Sequence, residues 1–411
     1  MKRLVLSILI GLASASAAWA EETAPSPDAA EGAEDQTRGE SAPGDGVADS
    51  PSGSSLCDER DRLQAAAWSA AEPRCARVTG QVFAGYRDGS VGGERGSEFS
   101  IDRAELAGAA SWRASERLRG GVRGRLQAIR SAGPQSLFGI DGDSIVMRVI
   151  EAYGQGGIRF DATYVRARLG LVPERWLELV EQGYELRALG PLASDQPFFE
   201  RADLGATISA LAWDGRLGVD ISVVNGEGPA QREQNLGKNT TGIVTLRPIV
   251  RDALTWSAHV GYRDGSTGVA SGRDHRLAFA STLRTPRATA GIEFVRAFGL
   301  EDQADRRAQV TSAWASARAL PYAGLAGRVD RIDHDLDLAD TSAYRITASV
   351  FGDLLAPGGE AEHRLRLYLA YQHERFGDSA GAVAGAPEAL DVHRALVQLD
   401  ARGAFYSSQR E

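Results

Sequence analysis

Between Arg117 and Arg130 the chain reads RLRGGVRGRLQAIR, and alternate residues belong to two different chemistries. Arg117, Arg119, Arg123, Arg125 and Gln127 fall on one register, with Gly121 among them. Leu118, Gly120, Val122, Gly124, Leu126 and Ala128 fall on the other. In an extended strand residues two apart share a face, so one face is guanidinium and the other is bare of charge. The arginine face needs water, because an arginine pointing at lipid costs about 2–4 kcal/mol at mid-depth. The Leu and Val face needs an apolar surrounding. A sheet with oil on one side and water on the other satisfies both.

The same alternation recurs along the chain. Leu217, Val219, Ile221 and Val223 alternate with Arg216, Gly218, Asp220 and Ser222, and Leu365, Leu367, Leu369 and Tyr371 with Arg364, Arg366, Tyr368 and Gln372. Helical spacing is nearly absent. The pattern predicts sixteen strands, near 77–86, 98–113, 116–130, 147–157, 162–171, 202–213, 215–224, 240–248, 254–263, 273–284, 287–298, 306–318, 321–331, 342–353, 361–374 and 390–405. Each is long enough for the roughly 9–11 tilted residues that cross a bilayer.

The connections alternate in length. Short turns fall at Ala114-Ser115, Asp214, Thr285-Pro286 and Leu320-Pro321. Longer segments run over Ser131–Val146, Val172–Arg201, Asn225–Asn239 and Gly377–Leu390. An open sheet edge is not tolerated in hydrocarbon. The expected fold is therefore all-β, a closed sixteen-stranded antiparallel transmembrane β-barrel. Trp112, Trp213 and Trp256 fall at the short-turn ends of their strands, where an aromatic girdle meets a membrane interface.

The N-terminal region is of another kind. Lys2 and Arg3 precede an apolar run that closes on Ala18-Trp19-Ala20, the pattern of a secretory signal, so residues 1–20 are expected to be removed on export. Residues 21–55 are Ala, Pro, Gly, Ser and acids, too poor in apolar surface to offset ordering, and predict a disordered tether. Eleven acids against two arginines between residues 21 and 60 match the whole net charge of −9, so the barrel itself is nearly neutral.

The two cysteines, Cys57 and Cys75, are expected to bridge in an oxidising compartment. One unbroken helix between them would hold them about 27 Å apart, against the roughly 7 Å that a bridge allows. Residues 56–76 therefore predict a short helical segment turned back at Pro73, and residues 77–411 the barrel.

The motifs ARLGLVPERW (Ala167–Trp176), ERADLG (Glu200–Gly205) and VVNGEG (from Val223) resemble the phosphate-selective porin family of Gram-negative outer membranes. The resemblance implies a sixteen-stranded pore, a homotrimer among outer-membrane lipid and lipopolysaccharide, and a third loop folded inward as a constriction. In the pore, arginine stands where selective members use lysine, for Lys2 and Lys238 are the only lysines. Arginine offers a planar fork in place of a point charge.

On this reading the pore-lining residues are Arg103, Glu105, Arg119, Arg123, Arg125, Arg166, Arg168, Arg216, Arg345, Arg364 and Arg366. Arg276, Arg394, Arg402, Asp203, Asp220, Glu293 and Asp400 are also inward. A wall so biased enriches small anions. Between Val172 and Arg201, PERWLELVEQGYEL has helical character, with Pro173 at its first position and Gly183 at its end. Folded inward, it would set Arg175, Glu178, Glu181 and Arg187 across from the strand arginines.

Asp333, Asp335 and Asp337 share one register, but without the glycine turn and bidentate glutamate of a calcium loop they read as a solvated outer loop. No catalytic constellation, metal-ligand spacing or cofactor motif stands out: six histidines are scattered singly, and RGGVRG is not followed by the Lys-Ser or Lys-Thr of a phosphate loop. A basic surface with aromatic platforms for nucleic acid is absent. The expected function is passive diffusion of small anionic or neutral hydrophilic solutes. Two alternatives are a plugged structural barrel that docks a periplasmic partner through its N-terminal segment, and a barrel-embedded hydrolase.

Overall fold

The computed structural model describes residues 74–91, 93–130, 145–195, 198–226, 238–251, 253–265, 274–300, 303–355, 364–377 and 391–409. The expected signal segment, the tether, Cys57 and the helical segment up to residue 73 lie outside the described residues.

Sixteen strands form: β1 (Arg74–Val91), β2 (Glu94–Arg113), β3 (Leu118–Arg130), β4 (Ile145–Phe160), β5 (Thr163–Pro173), β6 (Ala202–Ala212), β7 (Leu217–Val224) and β8 (Asn239–Arg251), then β9 (Leu254–Asp264), β10 (His275–Arg284), β11 (Ala288–Leu300), β12 (Gln303–Leu320), β13 (Ala323–Asp333), β14 (Ser342–Asp353), β15 (Arg364–Phe376) and β16 (Asp391–Gln409). Each pairs with its sequence neighbour, and β1 closes on β16, from Arg74 opposite Gln409 to Val91 opposite Val392. Every strand edge is thus paired, as a bilayer requires. No helix among the described residues is long and apolar enough to cross a membrane, which is silent on strands.

All sixteen expected strands are present, most of them longer at one or both ends than the apolar pattern suggested. β1 begins at Arg74, so Cys75 is a strand residue, buried with its Sγ 3.4 Å from the Ser111 hydroxyl, and not part of a helical segment. Pro248, the last residue of its expected strand, lies within β8 at a register shift between Leu246 and Ile249. Lacking an N–H, proline is tolerated in a strand at such irregularities.

The outer face carries the apolar residues. In β3, Leu118, Val122 and Leu126 are exposed on the barrel exterior, while Arg119, Arg125 and Gln127 are buried in its interior. Exposed Trp112, Trp213 and Trp256, with Tyr322 and Phe160, ring the short-turn end; Tyr262, Phe298 and Tyr371 lie toward the other. The hairpin between β6 and β7 holds Trp213 and Asp214 at φ 53° and 55°, followed by Gly215 at 83°. Consecutive positive φ values match the right-handed twist of a tight hairpin.

Two β-bulges alter the interior. In β2 the register shifts opposite Phe83 and Ala84, so Arg103 and Asp102 no longer alternate across the sheet in the usual way. In β4 a shift opposite Arg125 and Leu126 leaves Ile150 and Glu151 both buried. A bulge adds one residue to one strand and so inverts the parity beyond it.

Candidate functional site

The connection between β5 and β6 enters the barrel. It carries helix α1 (Arg175–Glu181) and a 3-10 turn (Arg187–Leu189), both short, and almost every apolar residue in it is buried. Pro173 ends β5 instead of opening the helix. Glu174 is the N-cap, its carboxylate accepting from the Trp176 N–H at 3.2 Å. That matches the preference of helix starts for an acceptor at this position.

Trp176, Leu177, Leu179, Val180, Tyr184, Leu186, Leu192, Phe198 and Phe199 form a hydrophobic cluster with inward residues of the wall: Ile243, Ala278, Ala280, Val295, Ala297, Ala308, Val310, Trp314, Ala326, Phe351 and Tyr368. The inward wall from β8 to β15 thus shares an apolar core with the loop. Its alanines make the room. At Gly261 the approach is close, since a Cβ would lie 3.0 Å from the Trp176 ring, which would have to give way to admit one.

Wall side chains also satisfy loop carbonyls that no secondary structure serves. Trp314 Nε1 donates to Gly183 O at 2.9 Å, Tyr368 Oη to Glu185 O at 3.2 Å and Arg276 Nε to Phe198 O at 2.9 Å, and Arg328 donates to Pro191 O. Glu293 accepts from both Trp176 Nε1 and the Ser194 hydroxyl at 2.7 Å.

The charged residues of this loop divide in two. Arg175 and Glu178 are buried where the loop leaves the wall: Arg175 reaches Asp220 at 2.6 Å and Glu178 at 2.6 Å, and Arg168 forks onto both Glu178 oxygens at 2.7 and 3.1 Å. They anchor the loop and do not face an opening. Burial alone would raise the Glu178 carboxyl, but Arg168 and Arg175 hold it well below the usual carboxylate range. Glu181 likewise resists burial through Arg187 and Arg201, and sits at about 2. Arg187 reaches across to Glu105 on β2 at 3.5 Å.

Beside the loop lies a cavity of about 330 Å3. The loop side is Arg187 to Pro191, Asp195 and Arg201. The facing wall is β1 to β4 with β14 to β16, and supplies Phe83, Arg87, Asp102, Arg103, Gln127, Ile129, Arg148, Arg345, Gln372, Glu374, Arg394, Leu396 and Gln398. Seven arginines and three carboxylates thus share one lining. Arg345 pairs with Glu374, Arg87 with Asp102 and Arg201 with Asp195. Arg103 lies 4.7 Å over the Phe83 ring and 3.3 Å from Glu105. Arg148 donates twice to Gln127 Oε1, at 3.0 and 2.7 Å. Burial raises the Asp195 carboxyl despite Arg201.

The other expected lining residues fall elsewhere on the inner wall. Arg125 reaches Glu151 at 2.6 Å and Arg123 reaches it at 2.7 Å; Arg119 and Arg166 are buried on β3 and β5. Arg366 is sandwiched over Phe351 at 4.2 Å and grips Asp353, and Arg364 stands 3.8 Å from the same carboxylate at the short-turn end. Arg216 is a correction: it lies exposed in the Trp213–Arg216 turn, because that hairpin takes four residues instead of one. Asp333, Asp335 and Asp337 do not converge, for Asp333 pairs with Arg331 and Asp337 with Arg307. Residues the pattern did not reveal are Arg87, Asp102, Arg148 and Arg201.

Neither a protein-family model nor a curated protein sequence matches the chain. Solved structures do. OmpF of Salmonella typhi, in complex with daunomycin, aligns with a TM-score of 0.58 at 9% identity, over 79% of this chain and 97% of its own. The anion-selective porin from Comamonas acidovorans aligns at 0.51 and 13%, over 80% and 100%. The in-vitro folded outer-membrane protein OmpT of Vibrio cholerae, in a trimer form, aligns at 0.50 and 10%, over 81% and 100%. The fold is that of the outer-membrane porins.

Proposed function

We propose that the chain is an outer-membrane channel for passive diffusion of small hydrophilic solutes, with a mild preference for anions. The observation that carries this reading is the cavity beside the infolded loop, whose arginines outnumber its carboxylates seven to three. Positive potential in a narrow, low-dielectric passage concentrates anions and slows cations. Phosphate-like anions suit the guanidinium fork. The loop acts as the constriction, with Arg187 at its edge, while Arg175, Glu178 and Glu181 hold it in place. A homotrimer in lipid and lipopolysaccharide, delivered by the signal segment, completes the proposal; an anion-selective porin and a trimer form of OmpT are among the structures of similar fold.

The dry contact between loop and wall also favours a second reading, a plugged barrel with a structural or docking role. Planar-bilayer recording under a potassium chloride gradient separates them. A reversal potential toward that of chloride is expected. Cation preference would remove the anion assignment, and absence of any conductance would favour the plug.

A further inference from the structure

The cavity beside the loop is not uniformly polar. Around it, guanidinium groups stand next to apolar side chains. Arg148 is opposite Gln127, and Ile129 follows Gln127 by two on the same face of β3. Leu396 follows Arg394 by two on β16, and Leu189 follows Arg187 by two in the loop. Arg148 closes no ion pair among the described residues; it spends two donors on Gln127 Oε1, and a guanidinium has five.

We propose that this cavity binds an amphipathic organic monoanion, a carboxylate with an apolar body of about the size of one ring, in preference to a fully hydrated inorganic anion. The inference rests on the channel reading for its biological sense but not for its test. A carboxylate takes the free donors of Arg148 as a fork. The apolar body lies against Ile129, Leu189 and Leu396, where water is displaced from carbon at both surfaces. Phosphate offers oxygen in every direction, so the same apolar surfaces would strip its hydration without return. Its second negative charge would also meet Asp102, Asp195 and Glu374 in the same lining. The volume falls at the lower end of the range of small-molecule sites, about 300–1,000 Å3.

The test is a calorimetric titration of the full-length folded barrel in detergent with sodium benzoate, sodium acetate and sodium phosphate, each corrected by a protein-free micelle blank. Benzoate is expected to bind about tenfold more tightly than acetate, the ratio that follows from burying roughly 60 Å2 of ring surface. The Ile129→Ser, Leu189→Ser pair is expected to bring benzoate to the level of acetate, and Arg148→Gln to weaken both. Equal affinity for benzoate and acetate in the unmodified protein, or tighter binding of phosphate, would overturn the proposal without calling on any variant. A barrel that binds benzoate yet passes no chloride would sink the channel reading and leave this one standing.

Discussion

At the scale of single residues, the interior is organised by carboxylates shared among arginines. Glu105 lies 3.3 Å from Arg103, 3.5 Å from Arg187 and 3.7 Å from Arg125, and accepts from Gln127 at 3.0 Å. It joins three elements: β2, β3 and the infolded loop. Glu105→Gln keeps the shape and removes the charge, leaving three guanidiniums around a neutral amide. Breaking a buried ion group in this way costs about 3–5 kcal/mol. A lower denaturant midpoint for the detergent-folded barrel is expected, together with a higher chloride-to-potassium permeability ratio. A higher ratio without lost stability would show that Glu105 shapes the field but does not brace the loop.

At the scale of elements, the infolded loop answers to pH in two opposite ways. Glu178 and Glu181 have carboxyls lowered by arginines, so they favour the docked loop above the unfolded carboxylate value of about 4.3. That contribution fades only as pH falls through the folded value, about 2 for Glu181. Asp195 is raised by burial, so it takes up its proton earlier than an ordinary aspartate as pH falls, and the cavity becomes more positive. Between pH 7 and pH 4, single-channel conductance is expected to keep the signature of a docked loop while the reversal potential moves further toward chloride. Bilayer recordings across that interval check both. A selectivity that drifts toward cations on acidification contradicts the assignment of Asp195 to the lining.

The same scale shows what alternation can and cannot reveal. Strands are legible because each face meets one solvent along its whole length, and β3 announces this in its own sequence. Arg148 and Asp102 are not legible from parity, because the β4 bulge at Ile150 inverts the face on the Arg148 side of it and Asp102 is itself the extra residue of the β2 bulge. Arg87 lies in the part of β1 beyond residue 86, where the apolar pattern ends. Arg201 belongs to the loop's return, which has no period. The alanines at 278, 280, 297, 308 and 326 are inward and uncharged, a signal that something apolar faces them, yet only the fold identifies that partner as the loop.

At the scale of the whole molecule, the barrel holds two interiors. From β8 to β15 the wall packs on Trp176, Tyr184, Phe198 and their neighbours, and along β1 to β4 with β14 to β16 it sets arginines and carboxylates beside apolar side chains around the cavity. A conventional barrel can be imagined as a finished tube into which a loop later settles. Here the greasy side of the segment between Glu174 and Arg201 packs against the wall, chiefly from β8 to β15, while β1 and β16 join along eighteen residue pairs at the seam. Because the segment's apolar residues are covered by the wall strands, the expected order of assembly is that the segment takes its seat while the cylinder is still an open sheet and the seam zips last. Pulsed proteolysis during refolding into micelles is expected to find Arg187 protected before the seam residues at Arg77 and Arg402, and the reverse sequence would refute that order.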